Sequence, residues 1–449
     1  MAIRLTYEGG TIRVSGPERD LAALETDSLL EYDPRSETDR APAFRYAELR
    51  DRLDGEGIEY EDHLFETPSV GLVSEYELRS YQRAALDAWR DNGDRGVLEL
   101  PTGSGKTVIA IKAIEALGIP TLVVVPTIDL LNQWREELRT EFDIPVGQFG
   151  GGVQSREAIT VSTYDSAYLK ADSIGDVFPL VVFDEVHHLG GEGYREIARL
   201  LAAPARLGLT ATFDRSDGAH ETIEELVGPV VYRTSAEELA GEHLAPYDVK
   251  RIEVSLTDAE REEYEEVQET FVSYLRESGI DMRRGSDYQE LVKRSGSDPR
   301  AREALLAKQR AREIVSNAER KVEELGAILD RHRGERIIVF TAHNDLVYRL
   351  SERFLLPAIT HRTGTEERRE ILDRFRDGTY SRIVASNVLD EGVDVPDASV
   401  AVVLSGSGSQ REFTQRLGRI LRPGEGKRAL LYELVSEDTA EENVAARRR

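Results

Sequence analysis

Hydrophobic and polar positions along the chain form a regular alternation from residue 78 onward. Short apolar runs predict strands at 96–100, 121–125, 159–162 and 180–184. A second set of such runs follows at 251–256, 336–341, 382–386, 399–404 and 429–434. Amphipathic helical stretches separate most of these runs, and strands that alternate with helices predict a parallel sheet covered by helices. We therefore predict two α/β domains of similar size.

The residues before this alternation predict a smaller α/β domain. Short apolar pieces at 11–14 and 58–60 flank a helical stretch at 44–53, and an acidic segment with Gly and Pro at 54–74 is typical of a connector. The polar end of the chain, with its three final arginines, is expected to fray. The predicted boundaries are 1–72 for the small domain, 73–245 and 246–436 for the two large domains, and 437–449 for the tail.

A long helical insertion, 257–321, separates the first two strands of the second large domain. Its first part, 257–281, holds nine acidic and two basic residues, whereas 282–321 holds eleven basic and six acidic residues. Contacts to phosphate need a local density of cations, so this surplus favours nucleic acid as a partner. A solvated charged helical face explains the same pattern equally well.

Composition places the chain among globular proteins. Of its 449 residues, 40% are hydrophobic and 32% are charged. Apolar runs long enough for a membrane span are absent from the sequence, and the N-terminal MAIRLTYEGG lacks the features of an export signal, so we expect a cytoplasmic protein without membrane contact. The absence of cysteine excludes disulfides, thiolate metal sites and cysteine-ligated iron–sulfur clusters.

The charge of the chain is strongly acidic, with a formal net charge of −26. Its basic residues comprise 50 Arg and only 8 Lys. An excess of acid with scarce lysine is typical of halophiles, and at about 1 M salt the Debye length falls to about 3 Å, which limits self-repulsion. An ordinary acidic protein accounts for the charge but not for the ratio of Arg to Lys.

The strongest chemical signal is LPTGSGKT at 100–107, between an apolar strand and an apolar helix. Glycines let successive N–H groups surround phosphate oxygens, so we expect ATP to be bound by Gly103, Ser104 and Gly105. Lys106 is placed to reach the β- and γ-phosphates, and Thr107 to ligate Mg²⁺. The strict pattern requires glycine at position 100, where this chain has leucine.

A second signal is LVVFDEVHHLGG, in which two carboxylates follow four apolar residues. Ligands of parallel sheets bind at this end of the strands. Asp184 is therefore expected to hold Mg²⁺, either directly or through another ligand of the ion. Glu185 is expected to act as the base that orients the attacking water. His187 is expected to couple the ATP site to the strand ending in LTAT. Metal binding by His187 and His188 is disfavoured because two adjacent histidines lack a partner cluster.

Downstream, QRLGRILRP places Arg419 and Arg422 three residues apart, hence on one helical face. Two arginines that reach a γ-phosphate from the other large domain would act as arginine fingers, worth about 10³-fold in rate. The preceding SNVLDEGVDVPDA contributes Asp390, which with Gln415 is expected to join ATP and nucleic-acid contacts.

In this order the motifs resemble those of superfamily 2 helicases. Gln82 in LRSYQRAAL is similar to the glutamine that reads adenine, and VVVPT, VSTY and IVFTAHN occur at the matching places. Within the superfamily the chain resembles the XPB family of DNA repair helicases in its archaeal form. The likeness extends nearly end to end through APAFRYAELRDRLDGEGIEY, LGLTATFDRSDGAHE, ITHRTGTEERREIL and SGSGSQREFTQRLGRILRP.

This resemblance implies a 3′-to-5′ ATP-dependent DNA helicase or translocase that acts in repair. It implies two RecA-like motor domains, an N-terminal damage-recognition domain similar to the mismatch-reading domain of MutS, and a helical thumb corresponding to the insertion 257–321. The expected partners are forked, bubbled or damaged duplex DNA and a nuclease. We expect the chain to be a monomer when it is free of DNA, and we expect the protein to be associated with the nucleoid.

The resemblance also gives LTATFDRSDG two roles. Thr210 and Thr212 would relay between ATP and DNA. Where the family carries Arg-Glu-Asp in an unwinding loop, this chain has Arg215, Ser216 and Asp217, so the middle acid is missing. Arg215 would grip phosphate and Asp217 would brace it.

Three other functions are compatible with the motifs. The chain could be a duplex translocase without strand separation, a damage-binding clamp gated by ATP, or a motor on RNA. The sister family XPD, which has the opposite polarity, is excluded because its iron–sulfur cluster needs four cysteines.

Overall fold

The structure is a computed structural model that describes residues 2–22, 24, 29–65, 69–191, 193–213, 218–241, 243, 245–282, 285–386, 398–405 and 429–442. The described residues up to Leu239 form one compact unit, and those from Ala240 onward form another. Within these ranges, none of the helices is both long enough and apolar enough to cross a bilayer.

The N-terminal part of the first unit is built on a five-stranded sheet. Its strands are β1 (Ile3–Glu8), β2 (Thr11–Ser15), β3 (Glu31–Asp33), β4 (Thr38–Pro42) and β5 (Tyr60–Asp62), and its helices are α1 (Glu18–Ala22) and α2 (Tyr46–Gly55). The strand order is β3-β4-β2-β1-β5. Part of the predicted connector at 54–74 is therefore a strand, because β5 pairs in parallel with the edge of β1.

The rest of the first unit is an eight-stranded sheet in the order β13-β6-β12-β11-β7-β10-β8-β9. Its strands are β6 (Arg95–Glu99), β7 (Thr121–Val125), β8 (Val146–Gly150), β9 (Val153–Ser155), β10 (Ile159–Thr163), β11 (Leu180–Asp184), β12 (Ala205–Thr210) and β13 (Val230–Arg233). Its helices are α3 (Ser80–Asp91), α4 (Lys106–Leu117), α5 (Ile128–Phe142), α6 (Tyr164–Lys170), α7 (Arg195–Leu200), α8 (Ala219–Leu226) and α9 (Ala236–Leu239). The central strands are buried along their whole length, as expected of a parallel sheet covered on both faces.

The second unit contains a six-stranded sheet in the order β14-β19-β18-β15-β17-β16, with every pairing parallel. Its strands are β14 (Tyr247–Val254), β15 (Ile337–Phe340), β16 (Ala358–Ile359), β17 (Arg382–Ala385), β18 (Val400–Val403) and β19 (Ala429–Ser436). Its helices are α10 (Asp258–Ser278), α11 (Gly285–Ser295), α12 (Pro299–Ser316), α13 (Glu319–Arg331), α14 (Asn344–Phe354) and α15 (Thr365–Arg376). Strand β14 begins four residues before the predicted 251 because it pairs with β19 along all eight of its residues.

Helices α10, α11 and α12 form the insertion, and their opposite charges meet within it. A capping box of Thr257 and Glu260 starts α10. Arg310 on α12 lies 2.6 Å from Glu263 on α10, and Arg300 pairs with Glu277 across the same two helices. The basic surplus predicted for the insertion is therefore partly neutralised by the acidic helix beside it.

The predicted limits of the insertion and of the tail fall within packed structure. Lys321, expected to end the insertion, lies inside α13, whose apolar face belongs to the core of the sheet. The Lys321 ammonium is buried, 2.6 Å from Glu441 and 2.9 Å from the Leu404 carbonyl oxygen to which it donates. The backbone N–H of Ala440 donates to the Tyr264 hydroxyl at 2.9 Å. The prediction of a frayed tail is wrong for the described residues 437–442 because these contacts hold them.

Candidate active site

The loop between β6 and α4 has the backbone that its glycines predict. Gly103 and Gly105 have φ values of 85° and 80°, in the left-handed region that side chains with a Cβ rarely adopt. Gly105 precedes the first residue of α4 and offers no side-chain cap. The N–H groups of the first helical turn are thus available to an anion, which the helix dipole also favours.

Two side chains of α3 hold this loop by hydrogen bonds. The Tyr81 hydroxyl and the Gln82 Nε2 donate to the Ser104 carbonyl oxygen at 2.5 and 2.9 Å. The Gln82 Oε1 accepts from the Arg79 N–H at 2.9 Å, so both ends of this amide contact protein. A Cβ on Gly105 would lie 2.5 Å from Gln82 Nε2, which is a second reason for glycine there. The sequence pattern missed Tyr81.

The polar side chains of the loop fit nucleotide phosphates. The hydroxyls of Thr102 and Ser104 are buried and, within the described part of the chain, have no hydrogen-bond partner. The Lys106 ammonium donates to the Leu100 carbonyl oxygen at 3.0 Å and so lies over the loop. Thr107 is partly buried in the first turn of α4. Buried donors without partners beside a lysine are what a bound phosphate chain would satisfy.

Asp184 ends β11 with its carboxylate held by two donors. Its Oδ2 accepts from the indole Nε1 of Trp134 at 2.8 Å, and its Oδ1 accepts from the Glu185 N–H at 3.0 Å. Burial raises the pKa of Asp184, whereas Trp134 and the positive charge of Lys106 oppose that rise. The sequence pattern missed Trp134; as a tryptophan on the buried face of α5, it is recognisable only as a core residue.

The described residues contain no cluster of three or more side chains that could hold a metal ion unaided. Mg²⁺ is commonly bound by one or two protein oxygens together with waters and substrate phosphates. Asp184 and Thr107 therefore suit an ion that arrives with a nucleotide.

Glu185 has an unusual backbone for a carboxylate, with φ 48° and ψ 55°. This left-handed conformation costs free energy in a residue with a side chain, so the surroundings must impose it. The Tyr164 hydroxyl donates to the Asp184 carbonyl oxygen at 3.0 Å. The 3₁₀ helix Val186–Gly190 starts immediately after Glu185. The turn at Glu185 is thereby held from both sides.

A chain of short contacts leads from Glu185 to the end of β12. His187 Nδ1 lies 3.4 Å from Glu185 Oε2 and 3.2 Å from the Thr210 hydroxyl. The Thr210 hydroxyl donates to the Thr212 carbonyl oxygen at 3.0 Å and accepts from the Thr212 N–H at 3.2 Å. The structure thus brings together Glu185, His187, Thr210 and Thr212. His188 is half-buried and stacks against the rings of His187 and Tyr164.

Glu99 at the end of β6 fixes the segment that follows Thr212. Its Oε1 accepts from the Phe213 N–H at 3.1 Å, and its Oε2 lies 2.6 Å from Arg233. The other predicted residues, Arg215, Asp217, Asp390, Gln415, Arg419 and Arg422, lie outside the described residues.

The second unit has a polar edge of its own where β15 and β18 end. The hydroxyls of Thr341 and Ser405 lie 2.9 Å apart, and the Ala342 N–H donates to Ser405 at 3.0 Å. Nearby in sequence, Asn344 Nδ2 lies 2.9 Å from His361 Nδ1. The predicted IVFTAHN and ITHRTG motifs therefore meet at the carboxyl edge of this sheet.

Comparison with known proteins identifies the family. Residues 5–64 match the damage recognition domain of the xeroderma pigmentosum group B helicase, and residues 306–449 match the ERCC3/RAD25/XPB C-terminal helicase. Residues 75–215 match the res subunit of type III restriction enzymes. The Hef helicase domain of Pyrococcus furiosus has the same fold, with a TM-score of 0.53 at 21% identity over 83% of this chain and 98% of that one.

The fold class predicted from the sequence, with two RecA-like motor domains and a small N-terminal domain, is confirmed. The DNA 3′-5′ translocase XPB2 of Sulfurisphaera tokodaii is 47% identical over 91% of this chain and 93% of its own length. The DNA 3′-5′ helicase XPB of Mycobacterium tuberculosis is 31% identical, and the match covers 83% of this chain but 63% of that protein. The chain belongs to the XPB family of DNA helicases.

Proposed function

We propose that this chain is an ATP-dependent 3′-to-5′ DNA helicase or translocase that opens DNA during repair. The observation that carries the proposal is the position of Lys106 near the buried Asp184 carboxylate, together with the contact between Glu185 and His187, at the carboxyl edge of a parallel sheet. Family membership supplies the substrate class, because the relatives carry names of DNA helicases and translocases.

The phosphates of ATP would be held by the loop at Gly103–Gly105, with Lys106 against the β- and γ-phosphates. Thr107 and Asp184 would hold Mg²⁺, which when bound neutralises charge that develops on the phosphates. Gln82 contributes by fixing the loop through Ser104, and its amide has to rotate if it also contacts adenine. Arg419 and Arg422 remain predictions as contacts to the γ-phosphate.

Glu185 would accept a hydrogen bond from the attacking water and orient it. The left-handed turn at Glu185 separates this residue from the regular strand, while the Asp184 carboxylate stays bonded to Trp134. The contact of Glu185 with His187 links its position to Thr210, and Thr210 in turn holds Thr212. A change at the γ-phosphate would thereby reach the segment carrying Arg215 and Asp217, which we propose contacts DNA.

We propose forked, bubbled or damaged duplex DNA as the substrate and the cytoplasm, at the nucleoid, as the place of action. The N-terminal domain would sense distorted DNA. A partner nuclease is proposed on the basis of the family resemblance, with a monomer as the free state. The polar edge at Thr341 and Asn344 would supply further contacts to the DNA backbone.

The first prediction concerns Lys106. Replacing Lys106 with Ala removes the charge expected at the phosphates, so DNA-stimulated ATP hydrolysis should fall by about 10²-fold or more. Hydrolysis is measured on forked, bubbled and intact duplex in molar KCl. Lys112→Ala, six residues further along α4, is the matched control; its ammonium pairs with Glu115 and donates to the Ser74 carbonyl oxygen. Retained hydrolysis in Lys106→Ala would refute the assignment of the site.

A duplex translocase that does not separate strands is the second candidate. Two observations favour it: the first motor domain matches a restriction-enzyme subunit, and a relative with high identity carries the name translocase. A third observation also favours the translocase: serine at position 216 replaces the acidic residue of the family's unwinding loop. Displacement of a triplex strand without displacement of a duplex strand would favour the translocase, and displacement of both would favour the helicase.

A further inference from the structure

The N-terminal domain, built on the five-stranded sheet, contacts the first motor domain, built on the eight-stranded sheet, through the hydroxyl of Tyr7. This hydroxyl donates to the Leu200 carbonyl oxygen at 2.9 Å, with the Asp172 carbonyl oxygen as a second acceptor at 3.3 Å. It also accepts from the Gly10 N–H at 2.9 Å. Burial raises the pKa of Tyr7, so the hydroxyl remains a donor at neutral pH. One side chain thus connects β1 to the carboxyl end of α7.

The surfaces around Tyr7 fit without space for an additional methyl group. A Cβ on Gly175 of the motor domain would lie 1.9 Å from the Tyr7 hydroxyl, and a Cβ on Gly10 would lie 2.2 Å from a methyl of Leu200. Ala202 of the motor domain is buried in the core of the N-terminal domain. Phe44 of the N-terminal domain packs in turn against the core of the motor domain. The two cores are therefore continuous at this interface.

The helix that receives Tyr7 lies next to the proposed catalytic carboxylate. Helix α7 packs against the 3₁₀ helix Val186–Gly190 and against α8. That 3₁₀ helix contains His187 and follows the left-handed turn at Glu185 directly. A strained backbone persists only where the surrounding structure imposes it, so the support of α7 contributes to the position of Glu185.

A buried arginine ties the same end of α7 to the sheet. The Arg206 guanidinium on β12 donates to the carbonyl oxygens of Ala198 and Leu201 at 2.9 and 2.6 Å. It donates also to Ala203 and, at the end of α8, to Leu226. Arg206 is fully buried, and within the described part of the chain the four acceptors of its side-chain hydrogen bonds are all carbonyl oxygens at or near the ends of α7 and α8. Arg206 thereby links the carboxyl end of α7 to the end of α8, and both helices pack against the 3₁₀ helix Val186–Gly190.

We propose that the N-terminal domain positions Glu185 for ATP hydrolysis through its contact with α7, with Tyr7 as the positioning residue. The inference rests on the proposed function, because it takes Glu185 as the residue that orients water. It assigns the N-terminal domain a role in hydrolysis in addition to contact with DNA. Loss of the contact lowers kcat and leaves the KM for ATP unchanged, since the phosphate loop is supported independently through α3 and Lys106 through the Leu100 carbonyl oxygen.

The test uses the full chain and approaches the interface from both sides. Tyr7→Phe deletes the hydroxyl from the N-terminal domain, and Gly175→Ala fills its space from the motor domain. Tyr32→Phe, at a tyrosine that is 58% exposed, and Gly71→Ala, at a glycine with open space around it, are the matched controls. Steady-state ATPase on saturating forked DNA gives kcat and KM. Amide hydrogen exchange follows Ala202, whose N–H donates to the Gly175 carbonyl oxygen at 2.7 Å, and the segment 186–190.

We expect Tyr7→Phe and Gly175→Ala to raise exchange at Ala202 and at 186–190 and to lower kcat, each about fivefold, as loss of one hydrogen bond implies. The KM for ATP and both controls should match wild type. Faster exchange with unchanged kcat would overturn the proposal, as would unchanged exchange in both variants or an equal change in KM. If Gly175→Ala does not fold, Tyr7→Phe decides alone. Absence of ATPase in the wild type would instead refute the proposed function.

Discussion

The carboxylate of Asp184 depends on a hydrogen bond from a tryptophan fifty residues earlier in the chain. Replacing Trp134 with Phe removes the donor and leaves a ring. Because the donor favours the charged carboxylate, its loss should raise the pKa of Asp184, which burial already raises. The acidic limb of kcat/KM should therefore move upward by about one pH unit.

Trp89→Phe is the control for this change. Trp89 is equally buried, but its indole donates to the Arg206 carbonyl oxygen, which does not titrate. The control should lose stability without a shift of the pH profile. The same profile in Trp134→Phe and in wild type would contradict the role assigned to Trp134.

The left-handed turn at Glu185 carries a residue that the proposed function requires, although glycine would be more stable in this conformation. Glu185→Gly and Glu185→Ala should both abolish hydrolysis, whereas Gly should give the more stable protein by about 1 kcal/mol because it adopts positive φ without strain. Urea unfolding measures the difference. At the exposed helical position Glu136 the same pair should show the opposite order, since Ala is favoured within a helix. Equal stability of the two Glu185 variants would show that the turn is not strained.

At the residue scale, the sequence is informative where chemistry requires a residue type in a local pattern. Gly105, Lys106, Asp184 and Glu185 follow from such patterns, because phosphate and metal ligation need glycine, lysine and carboxylates at fixed spacing. Trp134 and Tyr81 do not, because each acts through a contact with a residue distant in the chain and carries no local signature. Arg206 does not either, because its backbone carbonyl acceptors require no residue type that a sequence pattern could show. The relay beyond Thr212 stays a prediction.

At the scale of elements, the contact between the 3₁₀ helix Val186–Gly190 and the end of β12 is the expected link between hydrolysis and DNA. Thr210→Val keeps the shape and removes the hydroxyl that lies 3.2 Å from His187. Hydrolysis without DNA should stay within about twofold of wild type, whereas stimulation by DNA should fall about tenfold, as expected if a coupling of about 1.4 kcal/mol is lost.

Thr160→Val makes the same chemical change within the same sheet. The Thr160 hydroxyl donates to the Glu157 carbonyl oxygen, away from the nucleotide loop. Normal stimulation is expected in this control. Normal stimulation in Thr210→Val as well would exclude the hydroxyl from the coupling.

The short apolar runs in the sequence predicted the buried strands of both motor domains well, because parallel strands covered on both faces consist of consecutive apolar residues. The apolar pattern did not predict strand limits or ordered segments that depend on contacts with distant parts of the chain. Strand β14 is extended by its pairing with β19, and the polar residues after Ser436 are held by Lys321 and Tyr264. The charge surplus of the insertion was visible, but its pairing across α10 and α12 was not.

At the scale of the whole molecule, a net charge of −26 predicts a stability that depends on salt. Raising KCl from about 0.1 to about 1 M shortens the Debye length from about 10 to about 3 Å and screens the repulsion among carboxylates. The thermal midpoint should rise over this interval. Sucrose at matched osmolality, which does not screen charge, should raise it less. A flat or falling midpoint in KCl would contradict adaptation to high salt.

As proposed above, the chain is a motor that uses ATP to move 3′ to 5′ on DNA. The most direct measurement compares strand displacement on duplexes with a 3′ or a 5′ single-stranded tail, in molar KCl, for wild type and Lys106→Ala. We expect ATP-dependent displacement by the wild type on the 3′-tailed substrate and none by the variant. Displacement from the 5′ tail, or equal displacement by Lys106→Ala, would contradict it.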